Sequence, residues 1–208
     1  MADSAARDET TFTSRFNRVL AVMVWALAVI LTATTLASGT TSAALALIPC
    51  AFFCLLAWTA LWRPYVLVAD AGVRIRNVLR TVEVPWAALI HVDTRYALTL
   101  YTPGHQWSAW AAPAPGRTGT NVARRAENRG RVDAAPRVDG RVRPGDLLAT
   151  ESGQAAQILR DHWEKLRKSG AIEIGVAEQT PVPTHWHLWT NLALVVLAAI
   201  GLYALVAG

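Results

Sequence analysis

The sequence predicts an α+β membrane protein: three transmembrane helices and a small antiparallel β-barrel or sheet capped by one amphipathic helix. Three observations predict it. The chain of 208 residues carries 20 Lys+Arg and 15 Asp+Glu, yet residues 19–62 and 188–208 contain none of them. From residue 63 to about residue 112, apolar residues recur with a period of two, the signature of half-buried strands. Residues 155–168 carry an apolar stripe at helical spacing. At 53% hydrophobic and 17% charged, against roughly 25% charged in an average soluble domain, the composition excludes a disordered tail and argues against an ordinary soluble enzyme.

Residues 19–37, VLAVMVWALAVILTATTLA, rise roughly 28 Å as a helix, about the thickness of a bilayer's hydrocarbon core. Residues 43–62, AALALIPCAFFCLLAWTALW, form a second span after the short uncharged turn at 38–42. Pro49 is tolerated there when neighbouring helices satisfy the freed carbonyl. Residues 188–208 form the third span. Trp58, Trp62, Trp186 and Trp189 flank the spans and read as membrane-interface anchors, because indole prefers the headgroup level. Lys and Arg accumulate on the cytoplasmic side. Arg7, Arg15 and Arg18 precede the first span, and 17 Lys+Arg lie in residues 63–187. The expected topology is a multi-pass protein of the plasma membrane, with residues 1–18 as a cytoplasmic arm, the polar domain inside and the C-terminus outside. The rival is a cleaved signal peptide, with Thr35-Leu36-Ala37 as its small-residue end. Cys50 and Cys54 share one face of the second span and read as small apolar residues.

In the polar domain, Asp70-Ala71-Gly72 is a turn between the apolar run 65–69 and the alternating Val73-Arg74-Ile75-Arg76. Val82-Glu83-Val84 alternates again and stops at Pro85, which cannot donate to a ladder. Residues 89–93, 97–101 and 106–111 complete about six short strands. Residues 155–168 form the capping helix, with Ser152 as its expected N-cap and Gly170 just past its end. Ala155, Ile158, Leu159, His162, Trp163 and Leu166 make its stripe. Asp161–Lys165 and Glu164–Lys168 are acid-first pairs on its wet face. Because the strand count before residue 116 is short for a barrel, residues 171–175 or a partner are expected to supply another strand.

The stretch WRPYVLVADAGVRIRNVLRTVEVPW, followed by AALIHV, resembles the bacterial pleckstrin-homology (PH) domain of small actinobacterial membrane proteins, the low-molecular-weight antigen 6 type. Asp70, Gly72, Arg76, Asn77, Arg80, Thr81, Pro85 and Trp86 carry the likeness. It implies a PH-like β domain at 63–115, closed by the helix at 151–170, and non-catalytic binding at a membrane. The third span and a long insert depart from that pattern.

The insert, residues 116–150, is expected to be disordered. Its first 30 residues hold no Leu, Ile or aromatic side chain, eight Arg and three acids. Arg124, Arg125, Arg129 and Arg131 are its candidates for electrostatic contact with anionic lipid. No aromatic residues interleave with them, so no nucleic-acid partner is expected. Residues 171–187 read as a linker to the third span.

Chemistry is sparse. His185 and His187 flank Trp186 without an evident third ligand, so no metal and no cofactor are expected. There is no phosphate-cradling glycine loop, nucleophile elbow or catalytic carboxylate pair, and no enzyme is expected. Two function classes remain. The first is a PH-like module that binds a protein segment or an anionic lipid head group at the inner membrane face, with Arg74, Arg76 and Arg80 as candidate contacts. The second is an accessory subunit that packs its spans against a larger membrane complex.

Overall fold

The computed structural model describes residues 9–39, 43–114, 117–129, 147, 150–172 and 175–207. The chain divides into two compact units. One comprises Met1–Ser14, Tyr65–Arg76 and Thr81–His185; the other comprises Arg15–Pro64, Asn77–Arg80 and Trp186–Gly208.

The first unit is built on eight strands: β1 (Thr10–Phe12), β2 (Tyr65–Ala69), β3 (Gly72–Arg76), β4 (Arg80–Pro85), β5 (His91–Asp93), β6 (Ala97–Thr102), β7 (His105–Pro113) and β8 (Thr184–Trp186). They form a five-stranded sheet in the order β1-β2-β3-β4-β8 and a three-stranded sheet in the order β5-β6-β7. The period-two pattern sets the faces. On β2 and β3, Val66, Val68, Val73 and Ile75 point inward and are buried, while the residues between them stay at least partly exposed. Val82 and Val84 on β4, Leu98 and Leu100 on β6, and Trp107 and Ala109 on β7 complete the two inner faces of one core. Fully burying such a side chain contributes about 1.5–3 kcal/mol.

Gly72 is dictated by close approach. A Cβ there would lie 2.4 Å from the Val84 carbonyl oxygen, so only glycine lets β3 start beside the end of β4. Gly104 turns β6 into β7 at φ +71°.

Helix α3 (Arg117–Asn128) and helix α4 (Glu151–Lys168) follow β7. Ala155, Ala156 and Leu159 of α4 are fully buried in the core, and Trp163 and Leu166 pack against it. Arg160 donates to the Val92 carbonyl of β5 at 3.1 Å. Trp86 locks the corner after β4. Its indole N–H donates to the Ala69 carbonyl at 2.9 Å, and its ring packs on His162 at 5.0 Å.

The structure departs from expectation in five places. The N-cap of α4 is Thr150, not Ser152. Thr150 has the extended backbone a cap needs and accepts from the Gly153 N–H, whereas Ser152 is already inside the first turn and buried. Ile158 is 41% exposed, and Ala156 takes its place in the stripe. Asp161 accepts from Gln157 at 2.9 Å instead of facing Lys165. Extra strands come from Thr10–Phe12, in the expected arm, and Thr184–Trp186, in the expected linker; residues 173 and 174, within the segment expected to supply one, lie outside the described residues. Ile172 packs on the core. Finally, Arg117–Asn128 is helical within the expected disordered insert. Counting absent large apolar residues overlooked the high helix propensity of Arg and Ala. Residues 130–146 of that insert lie outside the described residues.

The second unit holds α1 (Arg15–Ala37), α2 (Ala43–Ala57), which runs on into a π-helical turn at Trp58–Trp62, and α5 (Leu188–Ala207). α2 packs between α1 and α5. Its helix continues through Pro49. In the π turn the Arg63 N–H bonds to the Trp58 carbonyl at 2.8 Å. The Trp25 indole N–H donates across to the Cys54 carbonyl at 3.2 Å. α1 starts before the charge-free run and so takes in Arg15 and Arg18. Among the described residues, α1 alone is long and apolar enough to cross a membrane. The other two apolar helical stretches, Leu47–Trp62 and Leu188–Ala204, are shorter.

Candidate functional site

Each basic residue singled out on the strands has a partner. Arg74 and Glu83 stand opposite each other on β3 and β4, and their side chains form an ion pair at 2.9 Å. Arg76 lies over the Tyr65 ring at 5.8 Å, and its Nε is buried without a hydrogen bond. Arg80 lies over the Trp186 ring at 5.4 Å. Arg74 and Arg76 belong to the sheet unit and Arg80 to the helical one. Each guanidinium is turned to a different neighbour. Cross-strand charge pairing is a short-range effect that alternation alone does not reveal.

Of the insert residues, Arg125 and Arg129 are exposed, on and just after α3. The side chain of Arg124 and all of Arg131 lie outside the described residues.

The tryptophans expected as interface anchors share a pattern that sequence reasoning missed. Arg63 lies over Trp58 and Arg18 over Trp62, each at 5.2 Å, and Trp62 also meets Trp25 at 5.2 Å. Arg80 on Trp186 repeats the motif. Trp189 carries no such guanidinium among the described residues and is 84% exposed. The arrangement is held together at the start of α5. There the His187 N–H and the Asn191 side-chain amide both donate to the Leu79 carbonyl, at 2.9 and 3.2 Å. Arg63 donates to the Thr190 hydroxyl at 3.1 Å. His187 Nδ1 faces the Val78 carbonyl at 3.2 Å, while His185 is exposed. The signal present in the sequence was local: Trp62-Arg63 at the end of an apolar run.

Among the described residues no group of three or more His, Cys, Asp or Glu is placed to hold a metal ion. The clearest carboxylate perturbation is at Glu164. The Lys168 ammonium, at 2.8 Å, hydrogen-bonds it and holds its carboxyl below the ordinary value.

Two packed sheets closed by an amphipathic helix make the first unit a small β-sheet domain. Residues 63–147 match the family model of the bacterial PH domain, less than half of the chain. The match takes in β2 to β7 and stops before α4; β1 and β8 lie outside it. PH domains are in general non-catalytic modules that bind lipids or proteins. No curated protein and no solved structure matches the chain.

Proposed function

We propose that this protein is an integral-membrane, non-enzymatic binding module that presents its PH-like domain at the inner face of the plasma membrane. The observation that carries the reading is the bacterial PH match over a well-packed sheet unit in a chain that also holds an apolar helix of membrane-crossing length. In this reading α1, α2 with its π turn, and α5 are three spans. The ligand of the sheet unit is a protein segment or an anionic head group. The Arg76 edge of β3 is the best-placed contact, because its Nε is a buried donor without a partner. Arg125 and Arg129 add an electrostatic approach.

Pull-down of the full chain from native membranes tests the reading. A partner lost on Arg76→Gln supports it, whereas recovery of the chain in the soluble fraction defeats it. A reporter fused after Gly208 is expected outside and one at Asn128 inside.

A second reading also has support. Val19, Met23 and Ile30 on α1 are each about 60% exposed, which suits helix–helix packing in a larger complex as well as lipid. Crosslinking in intact membranes that traps α1 against another protein would favour an accessory subunit.

A further inference from the structure

We infer that the turn joining β3 to β4, Asn77–Arg80, is a membrane contact in its own right, with Leu79 seated at the boundary between lipid headgroups and acyl chains. The inference rests on the membrane reading above and adds to the three helices a further element that touches lipid.

The turn is built into the helical unit. Residues 77–80 group with the helices, whereas β3 and β4 beyond Arg80 belong to the sheet unit. Backbone bonds seat the turn on the start of α5. The Leu79 carbonyl accepts from the His187 N–H at 2.9 Å and from Asn191 Nδ2 at 3.2 Å. The Val78 carbonyl meets His187 Nδ1 at 3.2 Å; a carbonyl only accepts, so that nitrogen carries the hydrogen. The Arg80 carbonyl takes the Asn77 N–H at 2.9 Å. Three successive carbonyls of a surface turn thus have protein donors. In water they would need none, because solvent serves. Towards lipid, irregular backbone is tolerated only where its polar groups are satisfied internally.

The side chains point to the same surroundings. Asn77, Val78 and Leu79 carry no charge, and Leu79 is 50% exposed. A single exposed Leu needs no explanation on most surfaces. This one is fastened through its carbonyl to His187 and Asn191, which bracket Leu188 and Trp189, both more exposed still, at the start of an apolar helix. Arg80, the turn's cation, lies over the Trp186 ring at 5.4 Å, which keeps its charge at the level where indole settles in a bilayer. Residues 15–64, 77–80 and 186–208 hold four Arg and no Asp, Glu or Lys, the complement of an anionic leaflet. Exposed apolar side chains, carbonyls already satisfied and cations without carboxylates together favour a lipid surface over a protein partner.

The test is hydroxyl-radical footprinting of the unaltered full chain in nanodiscs of phosphatidylcholine and phosphatidylglycerol, one chain per disc, read side chain by side chain by mass spectrometry. Ile90 and Ile158 of the sheet unit are exposed to a similar degree as Leu79, and the three aliphatic side chains react alike with the radical. Lipid over the turn makes oxidation of Leu79 several-fold slower than that of either Ile. Oxidation of Leu79 as fast as either overturns the inference. Leu27, exposed midway along α1, reports on the membrane reading separately. Its oxidation at the rate of Ile158 overturns that reading, and this contact with it.

A second measurement identifies what covers the turn. A nitroxide on Leu79→Cys, in a Cys50→Ala/Cys54→Ala background, is expected to meet oxygen, which concentrates in lipid, more readily than a water-soluble nickel chelate. One on Lys165→Cys, exposed on α4, should show the reverse. Nickel access at residue 79 equal to that at residue 165 means that the cover is not lipid and overturns the inference. Where the labelled variant does not insert, the footprint of the unaltered chain decides alone.

Discussion

The sheet unit carries 16 Lys and Arg against all 15 Asp and Glu of the chain, a net of +1, whereas the helical unit carries four Arg and no acid, a net of +4. Both set cations on aromatic rings, and the sheet unit adds ion pairs. In the sheet unit Arg76 lies over Tyr65 and Arg167 over Trp163, while Arg74 is paired with a carboxylate across strands and Lys168 with one along a helix. In the helical unit Arg18, Arg63 and Arg80 lie on indole rings. The lesson concerns solvent. A unit that faces water can afford exposed ion pairs, which are worth little but cost little. A cation on an aromatic ring serves either unit, because a flat, weakly hydrated guanidinium keeps both packing and charge.

That contrast can be broken from the sheet side first. Gly72→Ala forces a Cβ into the Val84 carbonyl and should cost about 3 kcal/mol or more, within the range of strained core lesions. Hydrogen exchange on the full chain should show β3 and β4 losing protection while α1 and α2 keep theirs. Loss of protection across both units would show that they do not fold independently. Leu159→Ala, at a fully buried position, should cost about 2–5 kcal/mol, with the same restriction to the sheet unit.

Matched tryptophans sharpen the comparison. Trp86→Phe removes an indole hydrogen bond to Ala69 and should cost about 1 kcal/mol. On the proposed membrane reading, Trp25→Phe removes the equivalent bond to Cys54 and should cost about 0.6 kcal/mol, the average for such bonds within membranes. Equal or reversed costs, measured by denaturant titration in the same detergent, would remove the difference of solvent from the account.

The smallest effect is at Glu164. Its carboxyl is held below the ordinary value in the folded chain, so its contribution is present above the unfolded carboxylate range and fades as pH falls through the folded value. Glu164→Gln should therefore be slightly less stable than wild type at neutral pH and indistinguishable from it in acid. A gap that persists in acid would mean that the pair with Lys168 is not its source.

Much of the sheet was legible in the sequence because period two is a local property. Val73, Ile75, Val82 and Val84 declared their faces without reference to anything distant. β1 and β8 were not legible, since three residues are too few to show a period and both are strands only by pairing with β2 and β4. Trp58, Trp62 and Trp186 were legible as residues at the ends of apolar runs. Their arginines were not, because Arg18 reaches Trp62 and Arg80 reaches Trp186 only through the fold. The basic excess was legible in amount but not in place. Residues 116–145, with eight Arg and three acids, hold it along the chain, whereas the division into units gives the helical one most of the net formal charge.

The outermost strands of the five-stranded sheet, Thr10–Phe12 and Thr184–Trp186, stand some 170 residues apart in the chain. Their place has a kinetic consequence. As the chain emerges during synthesis, β2, β3 and β4 can zip into hairpins at once, but the outer edge of β4 stays open until residue 186 has appeared. Pairings of such long sequence separation form late and slowly. From the making of residue 85 to that of residue 186 the nascent protein thus exposes a strand edge of the kind that invites wrong partners. β8 leads directly into α5, so the edge is covered only as the last apolar helix is made.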